Sequence, residues 1–129
     1  MLEMHLKQLS EEFSLPSRPH LDKDKFYVLS FNPDLTVKLK EEDPGLILFA
    51  QIGALPKIKK EEFFSYVMRA NFLGQGTGGG TIALDETESF LTLSSVLPYD
   101  MNYKMFRDAV EDFTNYVDYW KTELKETSS

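Results

Sequence analysis

The stretch NFLGQGTGGGTIALD, residues 71–85, holds the residues whose spacing comes nearest to phosphate chemistry. Gly74, Gly76 and Gly79 satisfy G-x-G-x-x-G, in which glycines let the backbone approach a dinucleotide pyrophosphate. Gly74, Gly79 and Thr81 also satisfy the P-loop pattern, except that Gly80 stands where a lysine should reach the β- and γ-phosphates. Both patterns require a strand before the loop and a helix after it, so that the positive helix N-terminus faces the anion. Here the surrounding periodicity runs the other way: residues 57–72 have helical spacing and residues 81–84 read as a strand. The loop would meet the negative end of a helix dipole, and no lysine or arginine lies between Arg69 and Lys104. The expectation is a chain reversal, with Gly74 closing the helix and the later glycines turning the backbone.

Other chemistry-bearing groups are scattered. The two histidines, His5 and His20, fall in the first helix and an early loop without metal-ligand spacing, and are expected at the surface. There is no cysteine, which excludes disulfides, thiol catalysis and thiolate metal sites. Asp85, Glu86 and Glu88 crowd a short connection between strands, where acidic residues serve turns and solubility. No G-x-S-x-G or S-x-x-K pattern occurs. No catalytic residue, metal or cofactor is therefore expected. Six tyrosines and ten phenylalanines could stack on single-stranded nucleic acid, but that needs a basic groove and this chain carries a net charge of −7. Such a charge repels phosphate backbones and anionic membrane surfaces alike, so neither is an expected partner. The opening MLEMHLKQLSEEF lacks an apolar signal-peptide core, and no apolar run approaches the ~20 residues of a membrane span, so a soluble cytoplasmic protein is expected.

The elements that would position these residues follow from periodicity. Leu2, Leu6, Leu9 and Phe13 recur at helical spacing, and Pro16 and Pro19 open the loop that follows. Residues 25–31 are aromatic and β-branched, 35–40 alternate strictly, and 46–52 are almost continuously apolar: three strands joined by turns at Asn32-Pro33-Asp34 and Asp43-Pro44-Gly45. A helix over 57–72 carries Phe63, Val67 and Ala70 on one stripe and Phe64 and Met68 on the next. Strands at 81–84 and 90–97 precede a last helix capped by Asp100 or Asn102. Its Tyr103, Phe106, Val110, Phe113, Val117, Trp120 and Leu124 step by three and four, widened by Ala109, Tyr116 and Tyr119 beyond a coiled-coil seam. A core-facing helix is expected there, with a polar, frayed tail at about 125–129. The order is α-β-β-β-α-β-β-α: a single α+β domain over 1–129, a twisted antiparallel sheet packed by helices.

Several segments together resemble the class I type III secretion chaperones of the Tir-chaperone family. They are Ala70-Asn-Phe-Leu-Gly74, Ile82-Ala-Leu-Asp85, Phe90-Leu-Thr-Leu-Ser94, Leu97-Pro-Tyr99 and Asp118-Tyr-Trp-Lys121. The match lies in the second half of the chain; the first half agrees in element order. The resemblance implies a cytoplasmic bacterial homodimer, or a pairing with a paralogous chaperone. It would bind the unfolded N-terminal segment of a secreted effector and keep it soluble and export-competent, with the secretion ATPase as a further partner. It also implies an alternative, a chaperone-fold protein that sequesters a transcription regulator or RNA polymerase subunit. By resemblance the dimer candidates are Phe64, Val67, Met68, Phe72, Ile82 and Leu84. The client-binding candidates are Leu2, Leu6, Val28, Ile47 and Phe49.

Overall fold

Alternation at 35–40 demands a strand with one apolar face, and the chain builds a sheet around it. A computed structural model describes residues 2–128. Among them are three helices, α1 (Leu2–Glu12), α2 (Lys60–Asn71) and α3 (Tyr103–Ser128). The six strands are β1 (His20–Leu21), β2 (Tyr27–Asn32), β3 (Leu35–Glu42), β4 (Gly45–Ala54), β5 (Thr81–Leu84) and β6 (Phe90–Leu97). The sheet is antiparallel throughout, in the order β1-β2-β3-β4-β6-β5.

Five of these strands are the expected ones. The sixth, β1, lies in the proline-flanked segment, where its two residues pair His20 with Val28 and Leu21 with Tyr27. Two exposed residues carry no alternation, so periodicity gives no signal for it. What holds it is Asp22, whose carboxylate accepts the Asp24 and Phe26 N–H groups and closes the β1–β2 turn.

Period two puts Leu35, Val37 and Leu39 of β3 on one face with Leu46, Leu48 and Ala50 of β4 and Leu91 and Leu93 of β6. The helices cover this face only. The α3 seam is buried from Phe106 to Leu124, and Trp120 is 1% exposed. The width of that stripe resolves into a core-facing helix. A bulge between Gln51 and Gly53 bends β4, and at Gly53 (φ 151°) a Cβ would stand 3.0 Å from Leu124. Glycine there lets the end of α3 lie close to the sheet. The helix starts at Asn102, whose side chain accepts the Met105 N–H. It continues to Ser128, through most of the stretch that composition marks as a frayed tail.

Helix α1 buries Leu2, Leu6 and Leu9 and is tied to α3 by polar contacts. Glu12 accepts the Tyr103 hydroxyl at 2.8 Å and pairs with Arg107 at 3.3 Å. His5 is not a surface group: its Nε2 meets the Met101 carbonyl at 2.9 Å, and its ring stacks on Phe106.

Candidate functional site

The glycine loop carries both phosphate-binding patterns. Helix α2 ends at Asn71, and a 3₁₀ turn follows over Phe72–Gly74. The left-handed backbone begins at Leu73 (φ 54°), one residue before the glycine expected to close the helix, and continues at Gly74 (φ 68°). The loop then folds on itself. Gly76 N–H donates to Ala70 O, Gly79 N–H to Gly74 O and Gly80 N–H to Thr77 O, while the Thr77 hydroxyl donates to Gly80 O at 2.6 Å. The Trp120 indole N–H reaches across from α3 to Gly76 O at 3.1 Å. The Gly76, Gly79 and Gly80 N–H groups are thus already engaged and not offered to a phosphate. At Gly78 (φ 64°) a Cβ would fall 2.4 Å from the Tyr116 ring. Close packing is what needs the glycine there.

The flanking residues act as clasps. The Asn71 amide donates to Ile82 O at 3.0 Å and accepts Ile82 N–H at 2.8 Å. Strand β5 lies at the sheet edge, so Asn71 occupies outward-facing backbone groups that another strand would otherwise pair with. Asp85 builds the β5–β6 turn: burial alone would raise its carboxyl pKa. Hydrogen bonds from Thr87, Phe90 N–H and Ser89 N–H outweigh that and hold it below the usual range. Asp85 is a turn residue, not an acid or base.

Two surfaces remain. The first is the sheet face that no described helix covers. Register places Val28 beside Lys38, Lys38 beside Phe49, Lys40 beside Ile47, and Ile47 beside Val96. Val28, Ile47 and Phe49 are half-buried, and Val96 is 54% exposed. Phe26 joins them, its ring 6.3 Å from Phe49 with the Lys40 ammonium 5.2 Å from its centre. A groove of about 430 Å³ runs along Thr36, Lys38, Phe49 and Gln51. Lys121 closes one end, donating to the Asp34 carbonyl. Leu2 and Leu6, the other two client candidates, do not lie here. They are 6% and 2% exposed because α1 spends its leucine stripe on the core, so they are unavailable in this chain fold.

The second surface is the outer flank of α2 with the β5 edge. Met68 is 73% exposed, Phe72 64% and Leu84 39%, with Phe64 half-buried beside them. Val67 and Ile82, named with them as dimer candidates, are buried inside the monomer at 7% and 3%. Leu73, 79% exposed, belongs to this patch and was missed, as were Phe26 and Val96 on the sheet. The parity of β6 gave the signal for Val96. For Leu73 there was none, since the 3₁₀ turn that expels it breaks the helical period.

An α+β domain with one packed and one bare sheet face, its glycine loop closed on itself, is a binding architecture. The chain belongs to the Tir chaperone protein (CesT) family, whose model matches residues 5–121. This is a family of chaperones, binding proteins and not enzymes. No curated protein sequence matches the chain. Among solved structures, the ExsC–ExsE complex matches with a TM-score of 0.74 at 16% identity, covering 95% of this chain and 92% of that one. The Yersinia pestis type III secretion chaperone SycH, solved with a stable fragment of YscM2, matches with a TM-score of 0.68 at 16% identity, over 93% and 99%. The HopA1–SchA chaperone–effector complex matches with a TM-score of 0.68 at 10% identity, over 94% and 93%. At these identities the likeness is one of fold. No described helix is long and apolar enough to cross a membrane.

At the rim of the bare face, the Asp22 carboxylate is pulled down to about 2 from its usual 3.8. The Lys38 ammonium, ion-paired with Asp22 at 2.9 Å, is the largest cause, followed by the Phe26 N–H. A depressed carboxyl stabilises the fold above its unfolded pKa, and that contribution disappears as pH falls through the folded value. A carboxyl-shift titration of Asp22 should therefore have its midpoint near 2. Asp22→Asn should remove part of the stability gained between about pH 2 and pH 4. A midpoint near 3.8 would contradict the Lys38 clamp.

Proposed function

We propose that this chain is a type III secretion chaperone that binds the extended N-terminal segment of a secreted effector across its bare sheet face. It acts in the cytoplasm as a homodimer joined through α2 and the β5 edge. One observation carries the first part: Phe26, Val28, Ile47, Phe49 and Val96 lie together on a face left uncovered by α1, α2 and α3. A folded client would meet a flat sheet, whereas an extended segment can lay alternate side chains along the groove beside Phe49. Apolar rows on a single-domain surface of this kind mark interaction sites. The family match and the chaperone–effector complex among the similar structures support the same assignment. The net charge of −7 suits basic secretion segments and keeps a protein with such surfaces soluble.

The homodimer rests on Met68, Phe72, Leu73 and Leu84, four exposed large apolar side chains on one flank. Because Asn71 already occupies the Ile82 edge groups, this association is made by side chains and not by continuing the sheet. The secretion ATPase is a later partner of the loaded complex.

Capture of secreted proteins from cells with an active secretion system tests the client site. Phe49→Asp should weaken capture at least tenfold while leaving the circular dichroism unchanged, since a carboxylate would replace the aromatic ring that lines the groove. Undiminished capture by this variant would move the client elsewhere. Light scattering tests the dimer. The native chain should elute at twice the chain mass, and Met68→Glu with Phe72→Glu at the chain mass. A native monomer, or a double variant that remains dimeric, would refute the α2 interface.

A further inference from the structure

A cavity lies on the other flank of α2, where α2 meets α3, away from both surfaces above. It holds about 510 Å³, within the range of pockets that take one or two side chains or a small ligand. Its walls are the rings of Tyr66, Tyr116, Tyr119 and Trp120. The polar atoms of three of these rings are already engaged. The Trp120 N–H is bonded to Gly76 O, and the Tyr66 and Tyr119 hydroxyls meet each other beside Glu123. That hydrogen bond from Tyr66, with Glu123 next, holds the Tyr119 phenol protonated above its usual range. The ring surfaces they leave are apolar.

The rim is different in kind. Arg69, Gln75 and Asn115 line the same cavity, and none makes a side-chain hydrogen bond or ion pair among the described residues. Arg69 lies three residues along α2 from Tyr66, on the same side of the helix. Arg69 is the one charged side chain among the residues that line the cavity. Two free amides, each offering a donor and an acceptor, match the peptide groups of a main chain.

We propose that this cavity is a second polypeptide-binding site, which takes an aromatic side chain adjoining a single carboxylate from a partner protein. The ring stacks against Tyr116 and Tyr119, neither of which is buried. The carboxylate pairs with Arg69, for which a planar fork of donors is suited. Gln75 and Asn115 bond the main chain between them. The net charge of −7 opposes a segment with several carboxylates, so recognition is of one acidic residue beside the ring. The exposed apolar side chains of α2 project from its opposite flank, so the occupant proposed is a partner protein and not a second copy of this chain.

Trp120 is the only tryptophan, so its emission and its indole N–H resonance report directly on this cavity. The probe is the blocked hexapeptide Ala-Ala-Phe-Asp-Ala-Ala, titrated into the full-length chain. Binding should change both Trp120 signals saturably. Replacing the peptide phenylalanine by alanine should abolish the change. Arg69→Gln, an exposed position whose loss leaves the core intact, should weaken binding about tenfold, and Arg69→Lys less. No saturable change up to millimolar peptide, or equal affinity for Arg69→Gln, would overturn the proposal. So would a Trp120 signal that shifts on dilution of the protein alone, which would assign the cavity to a second copy.

Discussion

The seam of α3 decides what the rest of the molecule can do. Phe106, Val110, Phe113, Val117, Trp120 and Leu124 lie against the β3–β4–β6 face and are almost wholly removed from water. Each such side chain contributes on the order of 1.5–3 kcal/mol when buried. No comparable stripe exists for the reverse face, because α1 spends its leucines on the same side as α3 and α2 buries only Phe63, Val67 and Ala70. With its helices committed to one side, the sheet keeps a second, partly apolar face in contact with solvent. The bare face is thus a consequence of how the core is assembled.

The same seam explains the glycine loop. The Trp120 N–H fixes Gly76, Gly78 lies against Tyr116, and Asn71 holds Ile82, so α2 and β5 are locked to α3 through one short reversal. Asn71, Gly74 and Asp85, which lie in the segments that carry the resemblance, are structural clasps and turn formers. Clasps identify the scaffold; they say nothing of the client.

Much of the scaffold was legible because long periodic segments dominate it. Strict alternation gave β3, and the three-four stepping gave α3. What escaped depends on contacts distant in sequence. β1 exists through pairing with β2 and the Asp22 turn, and His5 is structural through a carbonyl ninety-six residues away. Surface assignments were harder for a related reason. The stripe of α1 is equally consistent with a core and with a client patch, and only packing shows that Leu2 and Leu6 are spent. Alternation along β2 and β4 put Val28, Ile47 and Phe49 on one face without saying which face the helices would take. Val67 and Ile82 turned inward while Met68, Phe72 and Leu84 remained outside, a division set by the clasp between α2 and β5.

Under the proposed function the client is held by side-chain contact on a preformed face, so that binding would require little rearrangement of the sheet. Methyl resonances of the chain, followed as a client's N-terminal segment is added, test that claim most directly. The account predicts that Val28, Ile47 and Val96 shift or broaden together, while Val110 and Val117 beneath α3 keep their positions. Changes confined to the helix layer, with Ile47 unmoved at saturation, would contradict it.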